Sequence, residues 1–191
     1  MTQHLIFATT LEGPWPEGTE VVYFGMGCFW GAEKKFWQVP GVVSTSVGYM
    51  GGHSTDPSYP MVCTGATGHA EVVLLAYNPE LVSFYDVLKV FWENHDPTQG
   101  NRQGGDVGTQ YRSAVYWTTD AQEELVRQTA TAYSEVLTSK GFDAVTTELD
   151  DAKAHKYWLA EDYHQQYLIK NPNGYDCHAH TGIDLPPVEL P

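Results

Sequence analysis

Basic residues are scarce in this chain: ten lysines and arginines stand against 24 aspartates and glutamates in 191 residues, a formal net charge of −14. A surface of that sign repels phosphate backbones and anionic headgroups, which excludes nucleic acid and anionic membrane as main partners. Long apolar runs are missing. The longest, Val72–Tyr77, is far too short to span a bilayer. The segment Met1–Gly18 lacks both a basic start and an apolar stretch, so no secretory signal is expected and a cytoplasmic location is the default. Its Gly13, Pro14 and Pro16 read as an extended N-terminal arm over residues 1–18. Cysteine is sparse as well. Cys28, Cys63 and Cys177 cannot all pair within one chain and are too scattered for a disulfide scaffold. These thiols are expected to be chemical or merely buried. Repeats, low-complexity stretches and composition breaks are also absent, so residues 1–191 are read as one domain and a monomer is expected.

What is present suits a packed core: 42% hydrophobic and 13% aromatic residues. Val21–Phe24 reads as a buried strand, and Phe29–Gln38 has helical spacing, with Phe29, Ala32, Phe36 and Trp37 able to share a face before Pro40. A strand near Val42–Tyr49 leads through a glycine-rich loop, Gly51 to Pro60, to a strand at Ala70–Tyr77. Ser83 is placed to cap a helix over Phe84–Glu93. His95–Gln110 is a long loop, of the kind usually kept for function. Tyr111–Trp117 alternates as a strand, Gln122–Ser139 is helical up to Lys140-Gly141, Val145–Leu149 is a short strand and Ala160–Lys170 a helix. From Asn171 onward Pro, Gly, Asn and Asp dominate, so residues 171–191 form a coil-rich C-terminal tail. The expectation is an α+β two-layer sandwich with a ferredoxin-like β-α-β-β-α-β core.

The most informative residues are Gly27-Cys28-Phe29-Trp30-Gly31, a thiol between a flexible backbone point and two aromatic rings. Cys28 falls where a strand ends and a helix begins. The unpaired N–H groups and positive dipole end of that helix favour thiolate, the nucleophilic form. Buried packing is the other reading, because free cysteine is among the most buried residue types. Three further segments concentrate chemistry: Tyr59 to Glu71, Asp106 to Ser113, and Asn171 to His178.

Together these blocks resemble the peptide methionine sulfoxide reductase A family. The pentapeptide around Cys28 is similar to its catalytic signature. Cys63-Thr64-Gly65 with Thr67-Gly68-His69-Ala70-Glu71, Gly108 to Ser113, and Glu161 to Tyr167 are similar to its other blocks, in the same order from about Val21 to Gly174. The resemblance implies that Cys28 attacks the sulfur of methionine sulfoxide, free or in oxidised proteins, while Glu71 donates a proton to the departing oxygen. Tyr59 and Tyr111 would hydrogen-bond that oxygen, Phe29 and Trp30 would hold the methyl group, and Asp106 would orient the substrate. It further implies action on the S epimer, no bound cofactor, and reduction of the resulting sulfenic acid by thioredoxin.

The chemistry is self-consistent. A sulfoxide is electrophilic at sulfur when its oxygen is protonated, so the site needs a soft nucleophile and an acid that keeps its proton at neutral pH. A carboxyl against aromatic rings meets the second need, because burial disfavours its charge. Cys63, before a buried strand, reads as structural, and His69 as a hydrogen-bonding residue. Cys177, on a tail able to bend, is the candidate resolving thiol. Many family members carry two tail cysteines, one often directly after the Gly-Tyr pair. Here there is one, and Asp176 intervenes, which points to direct reduction of a Cys28–Cys177 disulfide. Two other readings compete: a Cys–His acyl transferase or hydrolase using His53 or His69, and a zinc site from Cys177, His178 and His180.

Overall fold

The computed structural model describes residues 2–177 and 179–189. Strand β1 (Glu20–Met26) runs into helix α1 (Phe29–Trp37) and strand β2 (Val42–Met50). A five-residue helix α2 (Tyr59–Cys63) precedes β3 (Ala70–Tyr77), and α3 (Phe84–Glu93) follows. A two-rung hairpin, β4 (Arg102–Gln103) and β5 (Asp106–Val107), sits inside the long loop. After it come β6 (Ser113–Trp117), α4 (Asp120–Ser139), β7 (Glu148–Asp151), β8 (Trp158–Leu159) and α5 (Tyr167–Lys170). The result is a mixed fold of α and β elements around a mostly antiparallel sheet of order β7-β6-β1-β3-β2-β8, in which only β6 and β7 pair in parallel.

Strand β3 lies between β1 and β2 with all eight residues buried. Its alternation decides where the chemistry goes. Val73, Leu75 and Tyr77 join the large core with Phe29, Phe36, Phe91 and Trp92 from the helices, whereas Ala70 and Val72 face a smaller cluster with Met50, Ala114 and Tyr116. Side chains two apart on a strand share a face, so Glu71 belongs to the helix-covered side, at the end of β3 nearest the start of α1. Helix α1 buries Phe29, Ala32 and Phe36 as its spacing requires. Its Trp37 is only half-buried, and the remaining inward side chain is Glu33, wholly buried. Ser83 caps α3 by accepting the Asp86 N–H at 3.1 Å.

The departures from sequence expectation have local causes. Tyr59–Cys63 is a helix rather than loop, entered through Pro60 in its first turn. Tyr111 closes a 3-10 turn, Thr109–Tyr111, through its N–H to Gly108 O at 3.1 Å, so the strand starts two residues later. The short strand expected at Val145–Leu149 begins at Glu148. The helix expected from Ala160 shrinks to Tyr167–Lys170. Gln165 explains much of this: its side chain accepts from Val47 N at 2.9 Å and donates to Val47 O and Ala160 O, completing the edge of β2. Those tertiary bonds override helical propensity. The N-terminal arm is folded rather than extended, with a bridge between Gln3 and Thr10 and His4 Nε2 donating to Thr45 Oγ1 at 2.8 Å. Beyond α5 the described chain has no regular element, yet it is anchored. Tyr133 holds Thr181 and Ile183 O through its hydroxyl, Leu185 N donates to Glu93 at 2.8 Å, and Leu185 is buried.

Candidate active site

Cys28 stands at the junction between β1 and α1, as the N-cap residue. The turn depends on Gly27, whose φ of +90° suits glycine alone and whose missing Cβ leaves room for Gln103, 2.7 Å from where that atom would lie. Cys28 is 9% exposed. Burial pushes its thiol well above the usual range, and Glu71 and Asp106 add to the effect. The N–H groups of Trp30 and Gly31 pull the other way and lose. The expected helix-terminus preference for thiolate is thus present but outweighed by desolvation: the resting residue is a thiol.

Glu71 is 2% exposed and faces the same helix start, its Oε2 accepting the Phe29 N–H at 3.1 Å. Burial pushes its carboxyl up to about 8; the Phe29 N–H opposes this and Asp106 reinforces it. At neutral pH the group is a carboxylic acid, and its repulsion of a charge on Cys28 disappears.

A cleft of about 270 Å³ is lined by Cys28, Phe29, Trp30, Tyr59, Glu71, Asp106, Tyr111 and Tyr175. Seven of these are residues singled out from the sequence, drawn from β1–α1, α2, β3, β5 and the 3-10 turn. Trp30 is fixed from two sides: it stacks on Tyr167 with centroids 3.7 Å apart, and its Nε1–H donates to His164 Nδ1 at 3.0 Å. Tyr59 packs against the same imidazole at 4.5 Å, and its N–H donates to Glu161 Oε2 at 3.0 Å. Burial, then the charge of Glu71, raises both the Tyr59 and Tyr111 hydroxyls, which stay protonated donors.

Sequence reasoning assigned no role to Tyr175, His164 or Glu161. The hydroxyl of Tyr175 donates to Asp106 at 3.0 Å across the mouth of the cleft. His164, pushed down to about 4 by burial, is neutral and accepts from Trp30. Glu161 accepts from Tyr49 and Tyr59 N, bonds that hold its carboxyl below the usual range despite burial. All three lie in sequence blocks already singled out; what those blocks lacked was a sign of which side chain turns inward.

Cys177 stands beside the cleft rather than in it. It lines a separate crevice of about 10 Å³ with Cys28, Met26 and Gln103, its thiol directed at Gln103 O at 3.8 Å. Cys63 is exposed at the end of α2 and does not line the cleft. His69 accepts from Gly52 N and donates to Ser54 O, so both its nitrogens serve the loop, and His53 is exposed. Neither lines the cleft. Of the zinc candidates, His178 lies outside the described residues, and among the described residues no three His, Cys, Asp or Glu side chains gather closely enough to hold an ion. No described helix is long and apolar enough to cross a membrane. Larger hollows exist, one of about 550 Å³ between the arm and the sheet, but its lining holds no thiol.

A buried thiol faces a neutral carboxylic acid and phenolic donors, with no histidine among the described residues that line the cleft. That set suits acid-assisted attack of the kind a thiol oxidoreductase uses rather than the base-assisted attack of a Cys–His hydrolase. Residues 20–187 match the family model for peptide methionine sulfoxide reductase, and the chain belongs to that family. It is 54% identical to the peptide methionine sulfoxide reductase MsrA of Brucella anthropi, over 97% of this chain and 84% of the relative. To that of Rhodospirillum centenum it is 57% identical, over 96% and 83%. Among solved structures, methionine sulfoxide reductase A of Corynebacterium diphtheriae superposes with a TM-score of 0.85 at 46% identity, covering 96% of this chain and 89% of that one. Reduced Mxr1 from Saccharomyces cerevisiae superposes at 0.76 and 35%, covering 88% and 94%. The chain is an oxidoreductase that reduces methionine sulfoxide by thiol chemistry.

Proposed function

We propose that Cys28 attacks the sulfur of methionine-S-sulfoxide while Glu71 protonates the sulfoxide oxygen. Attack forms a bond between the Cys28 sulfur and the substrate sulfur. The substrate S–O bond then breaks, its oxygen ends as a hydroxyl on the Cys28 sulfur as the S–S bond breaks, and methionine departs, leaving Cys28 as a sulfenic acid. The thiol proton of Cys28 returns Glu71 to its acid form, so the step balances without another reactant. The single observation that carries the reading is Glu71: a carboxyl held protonated up to about pH 8 in the wall of the cleft that holds the thiol. Tyr59 and Tyr111 hydrogen-bond the oxygen, Phe29 and Trp30 cradle the methyl group, and Asp106 orients the substrate backbone. The two halves of a sulfoxide side chain, apolar methyl and polar S=O, match those two kinds of wall.

The sulfenic acid condenses with Cys177, and thioredoxin reduces the resulting disulfide. The shared crevice of Cys28 and Cys177 supports this. The substrate is methionine sulfoxide, free or in oxidised proteins, and the working unit is a monomeric single domain with its resolving cysteine on the 171–191 tail. Need for a thioredoxin agrees with a cytoplasmic setting. The central strands in the order β6-β1-β3-β2, with helices α1 and α3 in the two crossovers, support a ferredoxin-like core.

The test is turnover of the separate S and R epimers of a blocked methionine sulfoxide with dithiothreitol, comparing wild type and Cys28→Ser. Reduction of the S epimer alone, abolished in the variant, is expected. Reduction of the R epimer, or activity surviving in Cys28→Ser, refutes the assignment.

A further inference from the structure

Three consecutive tail residues make contacts with separate parts of the molecule. Tyr175 donates to Asp106 at 3.0 Å, Asp176 Oδ2 pairs with Lys34 Nζ at 2.9 Å, and Cys177 enters the crevice that Cys28 also lines. The middle contact is built closely. The Asp176 side chain is 11% exposed, and its Oδ1 is buried with no hydrogen-bond partner, lying against α1 at Gly31. A Cβ on Gly31 would come within 2.6 Å of that oxygen and 3.6 Å of Cys177 N. The tail therefore rests directly on the first turn of the helix that carries the nucleophile.

We propose that Lys34, Gly31 and Asp176 form a berth that holds Cys177 ready for the sulfenic acid of Cys28, with Lys34 and Asp176 as positioning residues for disulfide formation. The proposal rests on the reading of Cys177 as the resolving thiol. In the step served, the S–O bond of the Cys28 sulfenic acid breaks and an S–S bond to Cys177 forms. The sulfenic sulfur is reduced and the thiol sulfur oxidised, and the thiol proton leaves with the hydroxyl as water. Gly31 gives the surface, and Lys34 supplies the counter-charge that makes burying Asp176 there tolerable. Neither Lys34 nor Asp176 lines the substrate cleft, so the berth acts after methionine has formed.

The experiment is a rapid-quench single turnover with a blocked methionine-S-sulfoxide, following methionine and the Cys28–Cys177 disulfide separately by mass. Lys34→Met and Asp176→Asn should each release methionine at the wild-type rate. Disulfide formation should slow about fivefold in each, the factor equivalent to losing ~1 kcal/mol of a partly exposed ion pair. The charge swap, Lys34→Asp with Asp176→Lys, should recover most of that loss, which a general packing defect would not. Disulfide formation at the wild-type rate in both single variants overturns the berth. So does a methionine rate that falls in parallel with the disulfide rate. A wild type that makes methionine but never a Cys28–Cys177 disulfide overturns instead the resolving role of Cys177, and the berth with it.

Discussion

Replacing Glu71 by glutamine removes an acid while leaving its surroundings nearly intact. Glutamine has almost the same volume, and its amide oxygen can still accept the Phe29 N–H that Glu71 accepts at 3.1 Å. A positioned general acid contributes roughly 10²–10⁴ in rate, so Glu71→Gln should slow the first methionine release by about that factor, or about 3–5 kcal/mol of barrier. The pH profile makes the prediction specific. With the carboxyl pushed up to about 8, about nine-tenths of the enzyme carries the needed proton at pH 7 and about a tenth at pH 9. The wild-type rate should be flat below about pH 7 and fall toward tenfold per unit above 8, whereas the variant should lack that descending limb. The assay is single-turnover release of methionine from a blocked S-sulfoxide between pH 6 and 9.5. A variant within about threefold of wild type, or one that keeps a limb near pH 8, would refute the assignment of the acid.

Cys177→Ser should still form one methionine per chain, but its thioredoxin-driven steady turnover should drop at least about tenfold; undiminished turnover sinks the resolving role. Gly27→Ala should cost about 1–3 kcal/mol in urea unfolding, through its φ of +90° and the collision with Gln103; a cost under about 0.5 kcal/mol would deny that the turn is constrained. Between pH 6.5 and 8 the fold should lose stability, by about 2 kcal/mol, because Glu33, pushed up to about 7, and Glu71, to about 8, keep protons that the unfolded chain releases near 4.5. Their contribution is complete below 4.5 and lost as pH rises through the folded values. His4, His95 and His164, each pushed down to about 4, work oppositely but only below 6.5. Glu33→Gln should flatten part of the decline in unfolding free energy, and an unchanged slope would count against it. Phe24→Ala, in the ring stack with Phe36 and Phe91, should cost about 3–5 kcal/mol, read as a lowered denaturation midpoint.

The sheet and long helices were legible because burial writes a periodic pattern. β3 runs over the residues its apolar run marked, and α3 begins where Ser83 announced it. Residues 160–166 were misread because their backbone geometry is set by distant partners. Gln165 completes the edge of β2, and Gln166 takes φ +47° with its N–H on the buried Glu33 at 2.9 Å; neither fact has a local signature. The same asymmetry holds at the site. Cys28 was singled out by the pentapeptide around it and Glu71 by the resemblance to the reductase family, and both line the cleft. The resting charge of Cys28 was not legible, since dipole and desolvation compete and only packing decides between them. Tyr175 joins the cleft only because the tail folds back over it. The exposure of Cys63 was not legible, because the five-residue helix that carries it outward has too few residues to display a period.

The anchoring of the tail changes what the proposed Cys28–Cys177 disulfide would do to the molecule. Before Cys177 the chain is tied at Asp176, which pairs with Lys34 at 2.9 Å; after it, Tyr133 grips Thr181 and Leu185 is sunk in the core. Closing a loop on a free terminus costs entropy that grows with the logarithm of its length. Here folding has already fixed both ends of the span, and Cys177 shares a crevice with Cys28, which raises its effective concentration there. Forming that disulfide would therefore add little order to the folded chain, and reducing it would release little. In exchange with a dithiol reductant the proposed disulfide would sit on a segment whose slack is set by the fold, so chain entropy would be a minor part of the driving force.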